Sequence, residues 1–150
     1  MSIANESRMS SEHVALAAAD VLTALGDAGI IFDIVSPITV LRVGEVITTA
    51  VVSNVTAQVA FDRRIVTSGD VGRVAALDGT NGVLLIPTGT AIGKVVFKDV
   101  RVDLDPGDQI VPEVTVAAAG PGAAGAGRYF YEYIERHETP ANCADMVLSA

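Results

Sequence analysis

The side chains that could bind a metal or transfer a proton are few and widely spaced in this sequence. The two histidines, His13 and His137, have no second histidine or cysteine at ligand spacing. Asp103, Asp105 and Asp108 could hold a calcium ion, because carboxylates at positions i and i+2 of a strand point to the same face. A solvated strand face explains these aspartates more simply. The sequence therefore predicts neither a metal site nor a cofactor.

Nucleotide-binding and nucleophile motifs are present only as incomplete patterns. Residues 120–125 match G-x-G-x-x-G, but that motif must open a helix, whereas this stretch leads into a predicted strand. Residues 89–94 are one residue shorter than a P-loop and lack the Ser or Thr that follows its lysine. The single cysteine, Cys143, has no histidine that the sequence places beside it. We predict that the protein is not an enzyme.

The composition excludes several classes of protein. A chain of 150 residues with 50% hydrophobic and 19% charged residues can build one well-buried core, although its formal net charge is -8. Its ten Lys and Arg residues are scattered singly, so no basic stripe is available for nucleic acid. No apolar run reaches the length of a membrane span, and the polar start is unlike a signal peptide. We therefore expect a soluble protein, made in the cytoplasm, that binds neither nucleic acid nor membranes.

The longest β-type segment is Ile30–Ser53, which is β-branched and nearly uncharged. Its apolar residues alternate with polar ones, as in a strand with one buried face, but the phase of the alternation changes near Val40 and again near Gly44. Since a shift of one residue turns a side chain to the opposite face, each change indicates a β-bulge or a crossing between two sheets. We therefore predict two strands, or one strongly bent strand, that join two sheets of a sandwich.

The rest of the chain is typical of short strands separated by glycine and proline turns. A hairpin is predicted at Asp78–Gly79 and Asn81–Gly82, because such pairs between apolar runs favour tight turns. The small residues 117–127 are interpreted as a loop. Together these segments predict an all-β fold, either a barrel or, as we favour, a jelly-roll-like β-sandwich. The predicted strands are 57–66, 71–77, 83–86, 92–97, 100–105, 110–116 and 128–138.

Residues 1–26 are predicted to form an N-terminal arm or short helix, followed by a β-sandwich over 27–138 and a tail over 139–150. The helix hypothesis depends on an apolar stripe at helical spacing that ends before Gly26. Three consecutive alanines also suit an extended arm that lies along another surface. The stripe consists of Val14, Ala18, Val21, Leu22 and Leu25.

The candidate partner-binding residues are apolar or aromatic and come from two segments. On an edge strand, the three tyrosines of the last strand would offer amphipathic contact area, whereas in a half-buried strand they would belong to the core. The candidates are Val14, Val21, Leu22, Leu25, Tyr129, Tyr131 and Tyr133.

Two segments resemble small structural proteins that are encoded beside the capsid genes of tailed bacteriophages. The first runs from Phe32–Val35 through Pro37 into Ile38–Val43 and Gly44–Ala50. The second is Gly127–Phe130, a strand that leaves a glycine-rich loop. The resemblance extends over about residues 25–140 in layout and includes no catalytic signature.

The resemblance implies a head decoration (cement) protein. Such a protein would be a jelly roll or related sandwich, made in the bacterial host cytoplasm and located on the outer capsid surface of the virion. It would bind the major capsid protein between capsomers, associate with itself as a dimer or trimer, and stabilise the shell against internal DNA pressure. The acidic surface and the polar or apolar terminal segments are compatible with this role.

Two alternatives follow from the same residues. The first is another virion structural protein, such as a tail, vertex or shell subunit, which copy number per particle would distinguish. The second is a ligand-binding module or enzyme on a jelly roll, which a deep pocket with converging carboxylates would favour.

Overall fold

The chain forms two antiparallel β-sheets that pack face to face as a β-sandwich. The computed structural model describes residues 12–27, 29–65, 73–76 and 83–136, and this part contains ten strands and no helix. The predicted all-β class is therefore confirmed. The strands are β1 (His13–Val21), β2 (Gly26–Asp27), β3 (Phe32–Asp33), β4 (Ile38–Val52), β5 (Ala57–Ile65), β6 (Arg73–Ala76), β7 (Val83–Ile86), β8 (Val95–Leu104), β9 (Asp108–Val116) and β10 (Ala124–Glu135).

Sheet A contains four strands in the order β1-β10-β4-β8, and sheet B is built on the central pair β9 and β5. Both short strands β2 and β3 pair with β9, while β6 and β7 pair with β5. Apolar side chains from both sheets form one core between them. Its buried members include Ile38, Val40, Val43, Ile47, Val59, Phe61, Ile86, Leu104, Ile110, Val114 and Tyr129.

The predicted crossing between sheets lies within Ile30–Ser53, but earlier than the alternation indicated. β3 belongs to sheet B and β4 to sheet A, so the chain changes sheet at residues 34–37. The phase change near Val40 is a β-bulge, since the pairing of β4 shifts between Val40 and Arg42 against both β8 and β10. At Gly44 the prediction of a second irregularity is wrong, because the pairing there is regular.

The predicted N-terminal helix is wrong, because residues 13–21 form β1 and pair along β10. Ala15 and Ala17 face the core, whereas Val14 and Leu16 are exposed on the other side of the sheet. Because both faces of β1 carry apolar residues, their spacing in the sequence resembles the apolar stripe of a helix. The extended alternative describes this segment better, and the sandwich begins before residue 27.

Several predicted boundaries also differ. Predicted strands 92–97 and 100–105 are one continuous strand, β8, and the glycine-rich stretch contributes the first residues of β10. β6 lies within predicted strand 71–77, and β5, β7 and β9 match their predicted positions closely. The hairpin at Asp78–Gly79 and Asn81–Gly82 and the tail 139–150 fall outside the described residues.

Candidate interaction surface

The outer face of sheet A, the side turned away from the core, carries apolar residues on all four strands, and those on the edge strands β1 and β8 are exposed. Cross-strand pairing places Leu16, Phe130, Gly44 and Phe97 in one row across β1, β10, β4 and β8. Leu16 is 46% exposed and Phe97 is 47% exposed. Because paired residues project on the same side of a sheet, this row forms a continuous apolar strip.

Gly44 provides the space for the aromatic ring at the centre of this strip. A Cβ atom at Gly44 would lie 2.6 Å from Cζ of Phe130 and would also overlap the carbonyl oxygen of Val96. The Phe130 ring therefore lies against bare backbone, and only 4% of this residue is exposed although it faces outward. The irregular alternation at Gly44 in the sequence thus marks a close aromatic contact rather than a bulge.

Charged side chains flank the apolar strip. On one side, Arg42 Nε donates to Asp99 Oδ1 at 2.9 Å, and the Arg42 guanidinium lies 4.1 Å from the centre of the Phe97 ring. Arg42 Nη1 is also 3.8 Å from Glu132 Oε2. On the other side, Arg128 Nε donates to the Ala17 carbonyl oxygen at 2.7 Å. These exposed contacts orient the charged groups around the apolar centre.

The four N-terminal candidates divide between surface and core. Val14, Val21 and Leu25 are exposed. Leu22 is fully buried: its N–H donates to the Gly125 carbonyl oxygen at 2.9 Å, and its own carbonyl accepts from Ala118 N–H at 2.8 Å. Leu22 therefore anchors the passage from sheet A to sheet B and is not available for a contact.

The tyrosines of the last strand point into the sandwich. The contact hypothesis assumed an edge strand, but β10 lies between β1 and β4. Tyr129 is fully buried, and its ring centre lies 5.8 Å from that of Phe61. The ring centre of Tyr131 lies 5.0 Å from that of Phe32. Tyr133 is half-buried and is the nearest to the surface of the three. We therefore remove Tyr129 and Tyr131 from the proposed contact residues.

The three aspartates considered for calcium each interact with a protein donor. Thr39 Oγ1 donates to Asp103 Oδ1 at 2.7 Å, and Arg136 Nη2 donates to Asp105 Oδ1 at 2.6 Å. Asp108 is buried, and its Oδ2 accepts from Arg63 Nη2 at 2.8 Å and from the Asp105 backbone N–H at 2.9 Å. Within the described ranges no group of three potential metal ligands comes together.

Replacement of Asp108 by alanine is expected to lower the free energy of unfolding by about 2–4 kcal/mol, because a half-buried guanidinium and a backbone N–H lose their acceptor. The matched control is Asp99→Ala, which breaks an ion pair whose carboxylate is 73% exposed and should cost less than about 1 kcal/mol. Urea unfolding followed by circular dichroism measures both. Equal losses in the two variants would contradict the structural role of Asp108.

Glu45 is a buried carboxyl that the sequence analysis missed. It faces the core from β4, opposite Tyr129 on β10, and its side chain lies over Gly127, where a Cβ atom would overlap it. In the described part of the chain, neither Glu45 carboxyl oxygen nor the Tyr129 hydroxyl has a hydrogen-bond partner. Burial, and secondarily the nearby Asp20 carboxylate, raises the pKa of Glu45 to about 8. Burial likewise raises the pKa of Tyr129.

A neutral buried carboxyl can serve as a general acid when a substrate reaches it. Two surface cavities, of about 40 and 290 Å³, are lined by other residues and do not open onto Glu45. The larger is a shallow groove between β7 and β8, with Leu85 and Phe97 on its sides. The signal for Glu45 was present in the sequence. After the bulge at Leu41, the odd-numbered residues Val43, Glu45 and Ile47 face the core, as Val40 does before it.

A second surface lies at the end of the sandwich where β1 begins and β10 ends. His13 pairs with Tyr133, their rings are 5.3 Å apart, and the Arg136 N–H donates to the Pro37 carbonyl oxygen at 2.9 Å. The same end presents Val35, which is 85% exposed. We call His13, Val35, Tyr133 and Arg136 the terminal edge, because segments 1–11 and 137–150 both join the sandwich there.

His137 and Cys143 lie outside the described residues. The part of the chain that the structure describes has no helix suited to crossing a bilayer. Comparison of the sequence with protein-family models and with curated proteins finds no match.

Proposed function

We propose that this chain is a structural protein that acts by contact, a decoration (cement) protein on the outer surface of a tailed-phage head. The sequence resemblance supports this role. The main structural support is the terminal edge, where both terminal segments join the sandwich beside the exposed Val35. Two segments that leave the sandwich at the same place can bind one partner together, and the second contact then forms at a high effective concentration. This avidity would strengthen the binding of each copy to the shell.

We further propose that the sandwich is a jelly roll. The support is the order of pairing along the chain: β1 pairs with β10, β2 and β3 with β9, β4 with β8, and β5 with β6 and β7. The first half of the chain thus pairs successively with the second half from the ends inward, as in a long hairpin wrapped into two sheets. That arrangement is the double Greek key of jelly rolls.

The expected partner is the major capsid protein, bound through the terminal edge. Val35 would supply apolar contact area there. The acidic chain, with its net charge of -8, would then stay outside the shell rather than bind the packaged DNA.

Purified protein is expected to co-sediment with mature heads built from the capsid protein of the same genome and to raise their melting temperature, since a ligand of the assembled shell stabilises it. Deletion of residues 1–11, which leaves β1 intact, should weaken binding by about tenfold or more, and Val35→Asp should also weaken it. Val55→Asp is the matched control, because this exposed valine follows β4 at the other end of the sandwich. Failure of the intact protein to bind such heads would refute the proposed role.

The number of copies per particle separates decoration from the alternatives. Hundreds of copies spread over the head support a decoration protein, whereas a few copies at one vertex or on the tail support another virion role. A ligand-binding or enzymatic role would instead require a deeper pocket than the groove between β7 and β8.

A further inference from the structure

On the outer face of sheet A, strand β10 carries opposite charges on either side of Phe130, and Arg42 of the same chain lies 3.8 Å from the negative one, Glu132. Along β10, Arg128, Phe130 and Glu132 alternate with the core tyrosines, so all three project outward. The positive and negative groups are each two residues from Phe130. The strand therefore presents a positive, an apolar and a negative position at equal spacing.

This pattern is self-complementary under two-fold rotation. A two-fold axis along the row Leu16, Phe130, Gly44 and Phe97 would place β10 of one copy over β10 of the other in the opposite direction. Arg128 of each copy would then face Glu132 of its partner. In an isologous interface both copies use the same surface, so the interface would contain two pairs of Arg128 with the partner's Glu132.

The size and composition of the face are suited to a dimer. Sheet A is four strands wide, and β8 is ten residues long. At about 4.8 Å between strands and about 3.3 Å per residue, its plane measures roughly 600 Å². This area approaches the roughly 800 Å² that each partner contributes to a stable complex. The apolar row crosses the face from β1 to β8, with charged side chains beside it.

We propose that the outer face of sheet A packs against the same face of a second copy of this chain across a two-fold axis. Leu16 and Phe97 become buried on either side of Phe130, and Arg128 pairs with the partner's Glu132. The proposal concerns a different surface from the terminal edge and requires no capsid. Its failure and the failure of the decoration role are therefore distinguishable.

The dimer is expected to sediment at twice the chain mass at micromolar concentrations of the intact protein. Leu16→Asp should leave a monomer, because the two-fold axis would bring the two introduced carboxylates face to face in the buried row. Val55→Asp introduces the same charge at an exposed valine away from sheet A and should leave the dimer intact. A parent protein that stays monomeric, or a dimer that Leu16→Asp does not weaken, overturns the proposal.

The charge pair allows a second test that does not depend on the folding of Leu16→Asp. Arg128→Glu and Glu132→Arg should each weaken the dimer by about tenfold, and the double exchange should recover most of the affinity. An unchanged dissociation constant in Arg128→Glu, or a double exchange as weak as both single changes combined, contradicts this two-fold arrangement. Circular dichroism and melting temperature check that each variant retains the parent fold.

Discussion

The Glu45→Gln variant is expected to gain stability relative to the parent protein as the pH rises from about 5 to 8, by on the order of 3 kcal/mol. Glutamine has nearly the same shape as the protonated glutamate that burial favours at this position. Glutamine cannot ionise, so the variant avoids the free-energy cost of placing a negative charge in the apolar core.

The direction follows from the proton balance of Glu45. Its pKa is about 8 in the folded protein and near 4.5 when exposed. Between these values the folded state binds more protons at this group than the unfolded state does, so the free energy of unfolding falls as the pH rises. The fall begins near the unfolded pKa and levels off above about pH 8. Asp20 and Tyr129 are the nearest other titratable groups on the facing strands β1 and β10.

Chemical unfolding of parent and variant at several pH values between about 5 and 8 measures this difference. Glu135→Gln is the matched control, because it removes the same charge from an exposed position on β10. A stability difference between parent and Glu45→Gln that does not change with pH would show that Glu45 does not titrate in this range.

The sequence predicts the fold class well where strands are delimited by local chemistry. β5, β7 and β9 lie between glycine, proline or aspartate turns, so their extents can be recognised without knowledge of their partners. The bulge at Leu41 was also recognisable, because a change of phase in a strand has only a few structural explanations.

The N-terminal strand could not be predicted in this way. β1 is rich in alanine and apolar on both faces, and its local preference does not decide between helix and strand. Its partner β10 lies more than 100 residues later, with His13 opposite Tyr133. The pairing that makes residues 13–21 a strand is therefore a tertiary effect.

The sequence could not tell which of the candidate contact residues reach the surface, for a related reason. Val14 and Val21 are exposed as the contact hypothesis requires, but Leu22, Tyr129 and Tyr131 are core residues. Deciding which apolar residues face outward requires the position of each strand in its sheet. The row from Leu16 to Phe97 combines four strands that are distant in sequence, and no local pattern reveals it.

The Gly44→Ala variant is expected to lose about 3 kcal/mol or more of stability, since the added methyl group meets both backbone and an aromatic ring. The Val96 carbonyl oxygen belongs to the neighbouring strand β8 and cannot move without disturbing the sheet. The Phe130 ring can move, but only by leaving its position at the centre of the outer face. Ala50→Val is the control, because it adds volume at an exposed position of the same strand.

A double-mutant cycle separates these two obstacles. If the Phe130 ring accounts for part of the cost, Gly44→Ala should be less destabilising in a Phe130→Leu background than in the parent protein. The remaining cost then belongs to the contact with Val96. An unchanged cost would assign the whole effect to the backbone, and a negligible loss in Gly44→Ala itself would refute the close contact. Because the displaced ring would project from the outer face, Gly44→Ala should also weaken the two-fold dimer, which links the stability of the strand to the shape of the proposed interface.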